Sequence, residues 1–331
     1  MEKISAIPEA RTIWLRPGPE NSNRAALLAY SLRKRCERWG LRNMGWLNCL
    51  GARFTVRDLY GAPGDTLLAA IVARHIKKHW PRLRLNFITK NPDLVQHDSN
   101  LSEINAAPGV FGIDFWYYDL QTRRDTQTNL LSPTFAVLGI RNAEYRSRVY
   151  LDDAERTAAR EKLAGLPRPL IAISTLSAQP VKNWPVNQWR ELVPQLAKRG
   201  TLIHLGDSRE PTLPPAKHFA GNLSKRESMA LLGECDLLVG PVTFLMHAAN
   251  GLNVPAVVIF GGSHTPANAG YAENINLYAD LPCSGCWLTG HPGSECPHNL
   301  ACMAAITPIM VLTATEELLA RHGQKTASTP R

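Results

Sequence analysis

Apolar and polar positions change their spacing several times between residues 52 and 89. Ala52, Phe54 and Val56 alternate with polar neighbours, as expected for a half-buried strand. A turn rich in glycine and proline follows at residues 60–65, residues 66–79 are predicted to be helical, and residues 82–89 return to a strand pattern. The order strand, loop, helix, strand predicts a βαβ unit and therefore a parallel sheet.

The same rhythm restarts after the segment Gly165-Leu166-Pro167-Arg168-Pro169, which is typical of a linker. Between the two regions, a strand is predicted at 110–118 and a helix at 152–163. Further strands are predicted at 170–174, 201–205, 237–239 and 254–260, with helices at 187–199, 225–232 and 245–251. This pattern predicts two Rossmann-like, doubly wound α/β domains that face a cleft, with ligands outside the carboxyl ends of the strands.

The predicted organisation therefore has four parts. Residues 1–50 form an N-terminal extension, residues 51–164 a first domain, residues 165–322 a second domain, and residues 323–331 a polar tail. The length of 331 residues suits two domains that each bury a core. No apolar run reaches the roughly 18 residues that span a bilayer, and the charged N-terminus lacks a signal-peptide pattern, so we expect a cytoplasmic protein.

A formal net charge of +9 predicts attraction to polyanions. Nucleic acid, an anionic membrane surface and phosphorylated substrates all qualify. Nucleic acid is disfavoured because aromatic residues are not interleaved with the basic stretches and no known binding motif occurs. The basic segment 24–42 predicts an amphipathic helix that either lies on anionic lipid headgroups or packs on the first domain.

Four cysteines lie within twenty residues, in a loop region after the predicted strand 254–260. They are Cys283, Cys286, Cys296 and Cys302, spaced as C-x2-C-x9-C-x5-C over the segment 283–302. Thiolates are the soft ligands that zinc and iron prefer, and a site with four sulfur ligands is usually structural. A structural iron or zinc ion is the main hypothesis, and redox or disulfide chemistry is the alternative.

Chemistry in the first domain centres on Gly64 and Asp65, in the turn between the first strand and the first helix. Glycine lets backbone N–H groups approach a ligand, and a helix N-terminus favours a carboxylate or phosphate. Asp65 is interpreted either as an N-cap or as a general base that takes a proton from an acceptor hydroxyl. The sequence contains neither a GxGxxG fingerprint nor a Walker sequence.

Candidate ligand contacts in the second domain follow its strands. Lys182 could neutralise a phosphate, and a carboxylate at Glu210 suits ribose hydroxyls. His247, near the start of a helix, either binds a ligand or completes the core. The remaining candidates for donor binding are hydroxyl residues in the loops after two strands: Ser174, Thr175 and Thr243.

Taken in order, these segments resemble glycosyltransferase family 9, the ADP-heptose:lipopolysaccharide heptosyltransferases and their relatives. The resemblance extends from about Phe54 to Leu319. It rests on the Gly64-Asp65 turn, Lys182-x-Trp184-Pro185, His247-Ala248-Ala249, Val254-Pro255, Phe260-Gly261, and the cysteine pattern that ends at Cys302-Met303.

The resemblance implies a GT-B architecture, with an acceptor-side first domain and a second domain that binds the nucleotide-sugar. It implies an inverting transfer without a catalytic metal, in which Asp65 deprotonates the acceptor while Lys182 and helix N-termini stabilise the leaving diphosphate. ADP-heptose is the implied donor. The implied acceptor is a lipopolysaccharide-type glycolipid, or another glycan or protein, with possible contact to the inner membrane. The cysteine segment resembles the iron-bearing finger of autotransporter heptosyltransferases, and zinc is equally compatible.

One departure from the family pattern affects the second domain. Family members usually have Asp-Ser/Thr-Gly where this chain has Val242-Thr243-Phe244. The chain therefore lacks a carboxylate and a glycine near the implied donor site. This difference supports an alternative hypothesis, a non-catalytic binding or assembly protein that has lost part of the donor site.

Overall fold

The computed structural model describes residues 24–288 and 295–327. Its Cα positions group into two compact units. Unit 1 contains Met1–Asp125 and Leu130–Tyr145, and unit 2 contains Thr126–Asn129 and Arg146–Arg331.

Unit 1 is a parallel sheet with helices. Its elements in chain order are α1 (Arg24–Arg42), α2 (Met44–Cys49), β1 (Arg53–Asp58), α3 (Pro63–His79), β2 (Arg84–Ile88), a 3-10 helix (Pro92–Val95), β3 (Glu103–Ile104), β4 (Phe111–Phe115), α4 (Tyr118–Arg123) and α5 (Ser132–Leu138). The strand order is β3-β2-β1-β4, and every pairing is parallel. Strand order reverses between β1 and β4, where the carboxyl ends Asp58 and Phe115 lie in register. Crevices for ligands form at such reversals.

Helix α1 lies within the predicted extension 1–50, and it groups with unit 1. Four charged side chains join α1 to β1 and β4. The guanidinium of Arg57 donates to Glu37 at 2.7 Å and also to Asp114, and Lys34 donates to Asp114 at 3.2 Å. Arg57, Glu37 and Asp114 are all buried. Removing one member would leave a buried charge uncompensated, so these ion pairs fix α1 on the sheet.

Unit 2 is a second parallel sheet with helices. Its elements are α6 (Asp153–Leu163), β5 (Leu170–Ile173), a 3-10 helix (Pro180–Lys182), α7 (Val186–Leu196), β6 (Thr201–His204), β7 (Lys217–His218), α8 (Lys225–Gly233), β8 (Leu237–Pro241), α9 (Phe244–Leu252), β9 (Ala256–Phe260), α10 (Pro266–Ala269), β10 (Ile275–Tyr278), α11 (Ala301–Ala304) and α12 (Pro308–Ala327). The strand order is β10-β9-β8-β5-β6-β7, again entirely parallel. This order reverses between β5 and β8.

Helices α7 and α12 pack together over a core built on the central strands of unit 2. Trp184 and Trp189 are almost fully buried in this core, with ring centroids 5.0 Å apart in an edge-to-face arrangement. The indole N–H of Trp184 donates to the carbonyl of Ile306 at 2.8 Å. The predicted Lys-x-Trp-Pro motif therefore contributes a core anchor directly after Lys182.

The boundary predicted after residue 164 lies inside unit 2. Helix α6 packs on α8, where Arg226 donates to Glu155 and, at 2.9 Å, to the carbonyl of Tyr150. Residues 126–129 also belong to unit 2 although unit 1 segments flank them. The predicted tail 323–331 begins within α12, which continues to Ala327; residues 328–331 lie outside the described part. Among the described helices, none combines the length and apolar character needed to cross a bilayer.

Candidate functional site

Asp65 occupies the first turn of α3 at the carboxyl edge of the unit 1 sheet. The helix begins at Pro63 with Ala62 as its N-cap, so the interpretation of Asp65 as an N-cap is wrong. A carboxylate in the first helical turn interacts favourably with the positive end of the helix dipole. Gly64 precedes Asp65 in the same turn, and both residues are partly exposed. The geometry leaves the general-base interpretation of Asp65 available.

A turn held by Asp58 places the start of α3. Its carboxylate accepts hydrogen bonds from the hydroxyls of Thr66 at 2.6 Å and Thr89 at 3.0 Å, and from the backbone N–H of Gly61 at 3.0 Å. Gly61 has a φ of +70°, and a Cβ there would lie 2.7 Å from the side chain of Lys90. Glycine at this position therefore allows the tight turn that leads into Asp65.

Two tyrosines accompany Asp65. Tyr60 and Tyr117 each lie two residues beyond the paired strand ends, and their rings stack with centroids 4.3 Å apart at 17°. The hydroxyl of Tyr117 donates to Oδ1 of Asp65 at 2.8 Å, and the hydroxyl of Tyr60 accepts the backbone N–H of Tyr117 at 2.8 Å. Burial, followed by the charge of Asp65, raises the pKa of Tyr117 well above its ordinary value. Its hydroxyl therefore remains a hydrogen-bond donor.

In unit 2, three predicted donor contacts bind one another. Glu210 accepts hydrogen bonds from the hydroxyl of Ser174 at 3.2 Å and from the backbone N–H of Thr175 at 3.0 Å. It also bonds the Thr175 hydroxyl, the N–H of Leu176 at 3.1 Å and Nε2 of His204 at 3.0 Å. Glu210, Ser174 and Thr175 are all buried. These bonds hold the loop after β5, and contact of the three side chains with the donor remains a prediction.

Lys182 ends the 3-10 helix after β5 and is partly buried. The positive charge of Lys182 acts on two buried histidines, His247 and His264. Burial, and then the charge of Lys182, lower the pKa of His247 to about 3 and that of His264 well below its ordinary value. Nδ1 of His247 lies 2.8 Å from the hydroxyl of Tyr271. A cationic amine and two neutral imidazoles therefore lie close together in unit 2.

Close backbone contact brings the loops after β5 and β9 together. A Cβ at Gly262 would lie 1.6 Å from the carbonyl oxygen of Val181. No side chain fits there, so Gly262 permits the approach of Lys182 to the loop that carries His264. Lys182 follows β5, His247 lies in α9 after β8, and His264 follows β9. All three thus come from carboxyl ends of the unit 2 sheet, on both sides of its reversal.

The segment that departs from the family pattern forms the junction of β8 and α9. Val242 is buried, Thr243 is the N-cap of α9 with extended backbone, and Phe244 is the first helical residue. Thr243 and Phe244 are partly exposed. The backbone N–H groups in the first turn of α9 remain suited to an anion, because that property does not depend on the side chains.

The four cysteines form one neighbourhood in unit 2. Cys286 Sγ accepts the backbone N–H of Ser263 at 3.4 Å, and Cys296 Sγ accepts that of Leu300 at 3.3 Å. Burial, and then the charges of Cys283, Cys286 and Cys296, raise the pKa of Cys302 to about 11. The donor set fits zinc or iron, since thiolates repel one another without a cation between them. Across the described ranges, no three of the sulfur atoms lie within 4.8 Å of one another, so a metal would have to draw them closer.

Sequence reasoning did not identify Tyr60, Tyr117 or His264. Each lies two to four residues beyond a strand end, at positions 58, 115 and 260. Their position just after the strands of a parallel sheet, where ligands bind in such folds, is the sequence signal that could have identified them. The pairing of Tyr60 with Tyr117 depends on strand register, which no local pattern specifies.

Comparison with known proteins gives a consistent result. Residues 124–287 match glycosyltransferase family 9 (heptosyltransferase). No curated protein matches the chain significantly. Among solved structures, a family 9 glycosyl transferase from Veillonella parvula DSM 2008 is 14% identical over 82% of this chain and 98% of its own, with a TM-score of 0.64.

Two further structures are from E. coli. ADP-heptose LPS heptosyltransferase II is 14% identical, with 82% and 99% of the two chains covered and a TM-score of 0.61. TibC of the enterotoxigenic strain H10407, an iron-containing dodecamer in complex with ADP-D-β-D-heptose, is 17% identical, with 81% and 77% covered and a TM-score of 0.63. These likenesses show a shared GT-B fold. Residues 124–287 form a domain that matches glycosyltransferase family 9 (heptosyltransferase), and this match identifies the protein as a glycosyltransferase.

Proposed function

We propose that this protein transfers heptose from ADP-heptose to a hydroxyl of a lipopolysaccharide-type glycolipid, or of another glycan or protein. The family match supports sugar transfer and favours it over the non-catalytic alternative. The TibC complex with ADP-D-β-D-heptose supports the choice of donor. The observation that carries the proposal is the placement of Asp65 and Lys182 at the carboxyl edges of two parallel sheets.

Unit 1 supplies the base in this proposal. Asp65 takes the proton from the acceptor hydroxyl as its oxygen forms a bond to the anomeric carbon of the donor. The bond between that carbon and the diphosphate oxygen breaks on the opposite face, so the sugar inverts its configuration. The electron pair of the broken bond leaves with the nucleoside diphosphate.

Unit 2 binds the leaving group. The amine of Lys182 and the backbone N–H groups at the start of α9 offset the negative charge that develops on the diphosphate. His247 and His264 stay neutral because their pKa values are lowered, so they can serve as hydrogen-bond partners without adding charge. We expect Thr243 and Gly64 to line the two binding regions through their backbone.

A donor screen followed by two substitutions tests this proposal. We expect ADP-heptose to raise the melting temperature more than GDP- or UDP-sugars, since a ligand of the native state stabilises it. Asp65→Asn should abolish transfer while retaining donor binding, and Lys182→Ala should weaken both. Arg190→Ala, an exposed position in α7, is the control. Full transfer by Asp65→Asn would refute its role as the base.

We also propose that Cys283, Cys286, Cys296 and Cys302 hold one structural iron or zinc ion. Support comes from their common neighbourhood and from the iron-containing TibC, which shares the fold. Elemental analysis of freshly purified protein should find about one equivalent of metal, and Cys302→Ser should reduce it. Less than about half an equivalent in the wild-type protein would contradict the site.

The acceptor would be met at the cytoplasmic face of the inner membrane. Trp39 in α1, Trp46 in α2 and Leu50 just after α2 are exposed, at 46%, 55% and 60% of their surfaces. The two tryptophan rings meet edge to face with their centroids 5.5 Å apart. The exposed Arg35 and Arg38 lie in the same segment, where Glu37 is the one acidic residue between positions 24 and 50. Interfacial tryptophan beside arginine suits an anionic phospholipid surface.

Vesicle sedimentation tests this contact. The protein should bind vesicles that contain phosphatidylglycerol but not pure phosphatidylcholine, and Trp46→Ser should weaken binding. Val186→Ser, which removes an exposed apolar side chain from unit 2, should have no effect. Equal binding to both kinds of vesicle would rule out the charged contact. Loss of self-association in Trp46→Ser, without a change in vesicle binding, would assign this surface to a second copy instead.

A further inference from the structure

The hydroxyl of Tyr117 contacts the carboxylate that the proposed reaction uses as its base. Tyr117 donates to Oδ1 of Asp65 at 2.8 Å, which is a normal distance for a charge-assisted hydrogen bond. A donor in this position favours the ionised form of a carboxylate and restricts its rotation. Both effects matter for a general base, which must be ionised and aimed at its substrate.

The ring of Tyr117 is itself fixed by its surroundings. It stacks on Tyr60 and meets Phe115 edge-on, with centroids 5.8 Å apart. Its backbone N–H donates to the hydroxyl of Tyr60. Since Asp58 and Phe115 are paired in register, the two tyrosines extend from adjacent strand ends. The sheet thus sets the position of the Tyr117 hydroxyl, and this hydroxyl constrains the Asp65 carboxylate.

We infer that Tyr117 is a positioning residue for Asp65, which it holds ionised and in one orientation for proton transfer from the acceptor. The inference rests on the proposed function, since it assumes that Asp65 is the base. A purely structural role would make Tyr117 a cap for the first turn of α3, and removing its hydroxyl would then lower stability without affecting the proton transfer.

Tyr117→Phe tests the inference because it removes the hydroxyl and keeps the stacked ring. We expect kcat to fall about tenfold with little change in the KM for ADP-heptose, and the acidic limb of the pH profile of kcat to move up by about one pH unit. Tyr118→Phe, one residue along the chain, is the matched control and should behave like the wild type.

A spectroscopic arm gives a result even without transfer activity. In protein labelled with ¹³C at aspartate carboxyl carbons, the resonance lost in Asp65→Asn identifies Asp65, and its titration midpoint should move up in Tyr117→Phe. An unmoved midpoint would overturn the inference, as would a moved midpoint with unchanged kcat. Transfer activity in Asp65→Asn would refute the proposed function, because Asp65 would not be the base. An inactive Asp65→Asn together with a Tyr117→Phe that matches the wild type would refute only the inference about Tyr117.

Discussion

Glu210 is the side chain whose removal should most disturb the loop that leads to Lys182. Its carboxylate accepts from the backbone N–H groups of Thr175 and Leu176, and it also bonds two hydroxyls and His204. A Cβ at Gly206 would lie 2.3 Å from Oε1 of Glu210, so the chain leaves space for this carboxylate. The prediction concerns Glu210→Ala and Glu210→Gln.

In Glu210→Ala, the backbone N–H groups of Thr175 and Leu176 lose their acceptor, whereas the hydroxyls can rotate toward other partners. A buried donor without a partner costs about 1–3 kcal/mol, and Leu176 is partly exposed, so we expect a loss of about 3 kcal/mol. In Glu210→Gln, the amide oxygen can replace Oε1, which accepts the N–H groups of Thr175 at 3.2 Å and Leu176 at 3.1 Å, and the amide NH2 can donate to His204 and the Thr175 hydroxyl. We therefore expect a loss of about 1 kcal/mol or less.

Urea unfolding followed by tryptophan fluorescence measures these losses, and hydrogen exchange of the peptide that contains residues 174–176 locates them. Asp207→Ala removes a nearby carboxylate that is exposed and paired with Arg209, and it should stay within about 0.5 kcal/mol of the wild type. Equal losses in Glu210→Ala and Glu210→Gln would refute the role of acceptor geometry, and a loss below about 0.5 kcal/mol in Glu210→Ala would refute the whole reasoning.

Three further results are expected. Burial raises the pKa of Asp114, but the charges of Arg57 and a neighbouring lysine outweigh burial and hold it below its ordinary value. The ionised Asp114 therefore stabilises the fold above about pH 4, and this stabilisation is lost at lower pH. In urea unfolding, the difference in free energy of unfolding between the wild type and Asp114→Asn should shrink from neutral to acidic pH. A constant difference would contradict this. His247, with a pKa of about 3, should show no change in its ring nitrogen shifts between pH 5 and 8, and a midpoint near that of free histidine would contradict its burial beside a cation. Trp184→Phe should lower stability by about 2–4 kcal/mol in thermal unfolding, because a buried ring shrinks and a buried carbonyl loses its donor, whereas the exposed Val186→Ala should have little effect.

Much of the secondary structure could be predicted because local signals agree with it. Asp152 precedes α6 and forms a capping box with Glu155, in which each side chain accepts the other residue's backbone N–H. Strand β1 ends two residues beyond the predicted alternation, and α3 begins three residues before its predicted start, at a proline. Proline is well suited to the first turn of a helix. The sequence pattern had placed Pro63 in the turn before the helix instead.

Long-range contacts explain what could not be predicted. Helix α1 belongs to unit 1 because Glu37 pairs with Arg57, twenty positions away, and Lys34 with Asp114, eighty positions away. The bonds that Glu210 makes to residues 34–36 positions earlier in the chain likewise could not be read from its local sequence. In both cases the function of a charged side chain depends on which segments pack around it, and periodicity carries no such information.

The short segment Thr126–Asn129 has a practical consequence for dissecting the protein. The backbone carbonyl of Thr126 accepts a hydrogen bond from the hydroxyl of Thr265, and the carbonyl of Thr128 accepts one from the side-chain amide of Asn268 at 2.8 Å. Neither unit is therefore encoded by a single uninterrupted stretch, and a fragment that starts at Arg146 would strip two polar side chains of their acceptors. The family match begins at residue 124, just ahead of this segment. Truncations or domain exchanges with relatives should be cut before residue 126, so that residues 126–129 remain with unit 2.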